Sequence, residues 1–264
     1  MDLMAELLDD LRAETASFEA LLQPLSDDDW ERPTPAEGWA VRDQVSHLAW
    51  FDDAAVRAAG DPEGFPDWVR RFTSVDDVAA QSRGSAPREL HAWFRASRAH
   101  SLEVFATLGA RDRVPWFGPA MSAASFVTAR LMETWAHGQD VADALGVVRE
   151  PTARLRHVAT MGFRARPYSF AVRGLPVPEE PVRVELALPD GGTWTAGPAG
   201  AASLVRGTVL DFCLAVTQRI HLSDTGLELT GEPARSWMRI AQCFAGPPGK
   251  GRSPMSGVDR GHSG

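Results

Sequence analysis

Lysine is almost missing from this chain: of 27 basic residues only Lys250 is a lysine, and the rest are arginine. Arginine codons are rich in G and C and lysine codons in A and T, so the bias reads as the mark of a high-GC bacterial genome. Cysteine is nearly as scarce. Two residues, Cys213 and Cys243, cannot build a disulfide framework, and with no CxxC they cannot build a thiolate zinc site. That economy fits a reducing cytoplasm. No run of 18 uncharged apolar residues is present, so no membrane span is expected. The opening MDLMAELLDDLRAE is acidic and helix-periodic, without the basic start and apolar block of a signal peptide, so a cytoplasmic protein is expected. Basic charge is also short. The net charge of −8 argues against a general nucleic-acid binder, although a local arginine cluster could still hold an anionic substrate.

What is plentiful is apolar surface. At 44% apolar over 264 residues, the chain can bury one or two cores, and two modest domains are expected. Leu3, Leu7, Leu11, Phe18, Leu21, Leu22 and Leu25 fall near a 3.6-residue period, which predicts a helix over 2–25. Further helices are predicted over 41–59, 87–108 (opened by Pro87) and 122–145 (closed by Gly146). Residues 60–74, rich in Gly and Pro, read as a long excursion. Four helices joined by loops predict a bundle over 1–150. Past Pro151 the pattern changes. After one more helix, Val182, Val184, Leu186 and Leu188 alternate as in a strand, PDGGTW reads as a hairpin turn, and short strands and helices follow. The expected fold class is α+β: a helical bundle, a smaller mixed α+β domain over 151–246, and a disordered tail over 247–264. The active cleft is expected between the two domains.

The informative stretch is ARLMETWAHGQDVADALG, residues 129–146. On a helix Glu133 and His137 are i and i+4, so they share one face. Arg130 and Asp140 continue that stripe, three residues to either side. Alone, an E-x-x-x-H pair describes a solvated helix face as readily as a site. If the stripe faces inward, four ionisable groups are buried together, at several kcal/mol for each unpaired charge. A divalent cation would offset that. His47, between Val45, Leu48 and Phe51 on a packing helix, supplies a third ligand. Read alone, it would be a hydrogen-bonded core histidine. Three N/O ligands are the number that a catalytic zinc uses, with a position left open.

The run GWAVRDQVSHLA resembles the second-helix motif of the DinB-like superfamily, and more closely that of the mycothiol-dependent maleylpyruvate isomerase family. ETWAHGQDVADALG is similar to the family's fourth-helix motif. The resemblance implies a DinB-like four-helix bundle followed by a smaller mixed α+β domain, with zinc held by His47, Glu133 and His137. DFCLAVTQRIHLSDTG and TGEPARSWMRIAQCFAGPP resemble an actinobacterial metal-binding branch of the family that tells kinship rather than reaction. One departure from the family pattern is Ala40, where Ser or Thr commonly caps the second helix. Its loss should cost about 1 kcal/mol.

The resemblance implies mycothiol as the thiol cofactor. Zinc with one open position can hold a thiol as its thiolate, which is the nucleophile. In the family the thiol adds to a conjugated double bond, the bond rotates, and the thiol leaves. The expected function is therefore a zinc-dependent isomerase or thiol transferase acting on a small, anionic electrophile. Arg219, Arg130 and Asp140 are the candidate catalytic residues. Arg219 matches a family arginine that helps hold the substrate, and its other reading is surface solvation. Arg130 could instead pair with Glu133 or Asp140. Asp140 could orient a ligating histidine, or simply cap or salt-bridge. Cys213 and Cys243, in apolar helical contexts, read as buried packing residues. Two alternatives remain: a thiol-independent metal enzyme (isomerase, cyclase or hydrolase), and a non-catalytic protein whose second domain carries a small ligand. The expected partners are a small-molecule substrate and the thiol, with no nucleic acid and no membrane.

Overall fold

The computed structural model describes residues 2–255. They form two compact units that divide after Arg149.

The first unit is a four-helix bundle with additions. Helix α1 spans Leu3–Leu22, α2 Val41–Gly60, α3 Phe65–Val69, α4 Val75–Ala80 and α5 Pro87–Ala106. A two-residue hairpin, β1 (Arg113–Val114) and β2 (Met121–Ser122), leads into α6, Ala123–Leu145. Helices α1 and α2 each pack on both α5 and α6, so these two chain neighbours stand across the bundle diagonal. Phe18, Leu22, Val45, Leu48, Leu90, Phe94 and Val141 fill the space between the four. Of the apolar stripe read over α1, Leu7, Leu11, Phe18 and Leu22 are buried, while Leu3 is exposed. Helix ends follow local chemistry. Ser122 accepts from the Ser125 amide to open α6, and Gly146 closes it at φ +69°, a conformation that glycine adopts without a Cβ penalty. Ala40 has no side chain to cap α2. Asp43 compensates in part by accepting from the Ala40 amide at 2.8 Å, which satisfies one free N–H. The 60–74 excursion is shorter than expected. It holds α3, while α4 follows it at once, because FPDW and SVDD are ordinary helix starts.

The second unit opens with α7 (Leu155–Arg164) and α8 (Arg166–Ala171). Strands β3 (Val182–Ala187), β4 (Thr193–Ala196), β5 (Ser203–Thr208) and β6 (Glu228–Thr230) form one sheet in the order β4-β3-β5-β6. The β3–β5 pair is parallel and the others antiparallel. Val182, Val184 and Leu186 point inward on β3, as alternation requires. Helices α9 (Val209–Val216) and α10 (Glu232–Met238) complete the core with Phe212 and Trp237. Gly197 ends β4 at φ +79°, where a Cβ would meet the Val182 carbonyl oxygen at 2.2 Å, so a side chain there has no room.

The expected disorder of the tail lies partly outside the described residues. Within them, residues 247–255 have no regular secondary structure, but Gln242 Nε2 donates to the Pro247 carbonyl and the Gly249 amide donates to Gln242 Oε1. No helix among the described residues is long and apolar enough to cross a membrane.

Candidate metal centre

Helix α6 presents Glu133 and His137 one turn apart, and α2, packed beside it, presents His47. Glu133 Oε2 lies 3.0 Å from His137 Nε2 and 3.4 Å from His47 Nε2. One ligand atom from each residue falls within 4.8 Å of the other two. The histidines are buried, whereas the Glu133 side chain keeps 23% of its surface exposed, so one side of the cluster is open. Two nitrogens and a carboxylate oxygen at these separations suit a divalent ion such as zinc.

The electrostatics agree with that use. Burial, and then the charge of His137, push the His47 imidazole from 6.5 to about 4, so it is neutral near pH 7, the form that ligates metal. Burial works against the Glu133 charge, but the neighbouring imidazoles of His137 and His47 outweigh it and hold the carboxylate well below its usual range.

Aromatic rings enclose the cluster. Trp39 stacks on His137, with ring centres 5.9 Å apart, and also faces His47. Phe51, one turn after His47, lies 4.6 Å from its ring and joins it to Phe72, Trp116 and Phe117. Trp116 in turn stacks on Phe65. The sequence signal for this wall was the density of aromatics in FPDW and VPWF, segments that read as loops.

The other candidates fall elsewhere. Arg130 is buried, and its Nε donates to Asp52 Oδ1 at 3.0 Å, while Nη2 donates to the Leu48 carbonyl. Asp52 takes a second guanidinium on its other oxygen, from Arg98 Nε at 2.7 Å. Arg98 also donates to the hydroxyls of Thr15 and Thr134. This network links α1, α2, α5 and α6. Its centre, Asp52, was invisible in the sequence because an acid in FDD reads as surface. Asp140 is buried on α6, three residues beyond His137. Arg219 belongs to the second unit, follows α9, and donates to the Thr217 carbonyl at 2.6 Å. Cys213 and Cys243 are buried, and no disulfide joins them. Burial, with Cys243 nearby, pushes the Cys213 thiol well above its ordinary value, which removes it as a nucleophile.

The chain has relatives among known proteins. Residues 11–142 match the family described as the mycothiol maleylpyruvate isomerase N-terminal domain. Proteins of Mycobacterium tuberculosis, one in strain CDC 1551 / Oshkosh and one in strain H37Rv, are each 47% identical over 248 residues. Each alignment covers 92% of this chain and 96% of the relative, and both relatives are described as uncharacterized. The crystal structure of the mycothiol-dependent maleylpyruvate isomerase is similar in fold, with a TM-score of 0.59 at 16% identity, covering 89% of this chain and 98% of that one. A histidine-to-alanine mutant of that enzyme matches with a TM-score of 0.58 at 17% identity and the same coverage.

Proposed function

Because the chain belongs to the mycothiol maleylpyruvate isomerase N-terminal domain family, we propose that it is a metal-dependent enzyme that uses mycothiol to isomerise a small conjugated acid or to transfer the thiol to an electrophile. The observation that carries this reading is the convergence of His47, Glu133 and His137 within 4.8 Å in a mostly buried, aromatic-walled setting. Zinc or a similar ion, when bound, supplies Lewis acidity that keeps a thiol sulfur as thiolate near neutral pH.

The chain's own residues do the rest. Glu133 contributes a single negative charge, so little ligand charge opposes an incoming anionic sulfur. Trp39 and Phe51 exclude water from two sides and lower the local dielectric, which strengthens charge interactions there. The partly exposed flank of Glu133 is the way in. In this reading Arg219 supplies the cation for the substrate's acid group, and Asp140 holds the α6 face that carries His137. Arg130 serves Asp52 and the packing of the bundle. Neither cysteine supplies the nucleophile, so the sulfur comes from a small thiol.

Calorimetric titration of mycothiol into metal-loaded protein, repeated with His47→Ala, tests the reading. Binding heat is expected for the parent and not for the variant. No heat in either protein would remove the thiol and leave a thiol-independent metal enzyme. Equal heat in both would place thiol binding away from this cluster.

A further inference from the structure

The two imidazoles beside Glu133 are held in different ways. His47 Nδ1 is buried and has no hydrogen-bond partner among the described residues. His137 Nδ1 lies 2.5 Å from Gln44 Oε1. Gln44 sits on α2 three residues before His47 and is fully buried. Its amide nitrogen donates to Thr34 Oγ1 at 2.8 Å, and the Thr34 hydroxyl donates to the Trp39 carbonyl at 2.9 Å.

The direction of this chain follows from which groups can donate. In the structure the Thr34 hydroxyl donates to the Trp39 carbonyl, which also accepts from the Thr34 amide, and the Thr34 oxygen receives from Gln44 Nε2. The oxygen end of the amide therefore faces His137, and it needs a proton on Nδ1.

We propose that Gln44, braced by Thr34, is a positioning residue that locks His137 with its proton on Nδ1 and its Nε2 lone pair turned on the metal centre. That bare nitrogen stands 3.0 Å from Glu133 Oε2. A cation placed between that lone pair and the carboxylate oxygen would be attracted to both, so this tautomer suits an ion at that place. The chemistry of the partner matters too. A carboxylate at this place would raise the basicity of the imidazole and blunt the metal's electrophilicity. A neutral amide orients the ring without adding charge, and Glu133 stays the one anionic ligand. Trp39 and Gln44 lie in the run GWAVRDQVSHLA, but nothing local marked them as partners of His137, and Thr34 lies in a proline-broken loop.

The inference rests on reading the cluster as a metal centre, but its test does not need the metal. Nitrogen NMR of histidine-labelled, metal-free protein at about pH 8, above the ordinary histidine range, reports which ring nitrogen carries the proton. The His137 signals are assigned by their absence in His137→Gln. Wild type should show Nδ1 protonated and Nε2 bare. In Gln44→Leu the two signals should converge as the tautomers mix, and metal affinity measured against a competing chelator should fall about 10–100-fold. Should Gln44→Leu fail to fold, Thr34→Val should move the same two signals in the same direction. Thr34→Ser, which restores the hydroxyl, should return the wild-type pattern. A proton on His137 Nε2 in wild type, or signals that stay put in both Gln44→Leu and Thr34→Val, would overturn the proposal. The expected tautomer in a chain that takes up no metal would sink the metal reading separately.

Discussion

The indole of Trp39 lies almost parallel to the imidazole of His137, 12° between planes and 5.9 Å between ring centres. The contact is anchored at both ends. Trp39 Nε1 donates to Asp76 on α4 at 2.8 Å, and its carbonyl receives the Thr34 hydroxyl. A ring fixed in this way keeps water off the ligand. Trp39→Ala should therefore speed chelator-driven loss of metal by about tenfold, the lower end of the effect of residues that support metal ligands. Stopped-flow release to a coloured chelator measures it, and an unchanged rate would show that the stacking is mere packing.

The metal itself gives the next expectation. Elemental analysis of the purified protein should find about one divalent ion per chain, because three protein ligands with an open position bind a single ion. His47→Ala, Glu133→Ala and His137→Ala should each abolish it while far-UV circular dichroism still reports a helical bundle. Protein that arrives without metal and binds none on addition contradicts the central reading.

The sequence carried the ligands but not their setting. His47, Glu133 and His137 were legible because i, i+4 spacing and an apolar surround are local properties. Helices α1, α2, α5 and α6 and the strand around Val184 were legible for the same reason. Gln44, Thr34, Asp52 and Arg98 were not. Each is polar in a window that scans as ordinary helix surface or loop, and each matters only through a partner 10 to 93 residues away. Arg130 shows the limit well. Its stripe suggested Glu133 or Asp140, on its own helix, as partners, yet it donates to Asp52 on α2.

The Asp52 network should be costly to break. Two buried guanidiniums share this carboxylate, and burial already pulls Arg98 below its usual range while Asp52 opposes that. Asp52→Ala should destabilise the metal-free protein by about 3–5 kcal/mol, the usual cost of stranding a buried charge. Arg130→Met should cost less, since Arg98 would still neutralise Asp52. Urea unfolding compares the two, and similar losses would mean that the carboxylate is not the centre of the network.

The depressed His47 value makes acid stability a test of the cluster in its metal-free form. Unfolded, this histidine takes up its proton near 6.5; folded, it does so only near 4. Between those values the unfolded state binds more protons, so falling pH favours unfolding. The contribution of His47 is present in full above about pH 6.5 and is lost progressively as the pH drops to about 4. Over that span of about 2.5 pH units the loss is about 3 kcal/mol, at roughly 1.4 kcal/mol per unit. Glu133, whose value is lowered as well, adds a loss of the same sign at still lower pH, beginning as unfolded glutamate protonates near 4.5. Removing the imidazole removes the first component, so urea unfolding of metal-free His47→Leu should show a shallower fall between pH 6.5 and 4 than wild type. Parallel curves for the two proteins would mean that His47 takes up its proton as easily folded as unfolded, and the buried neutral ligand would be wrong.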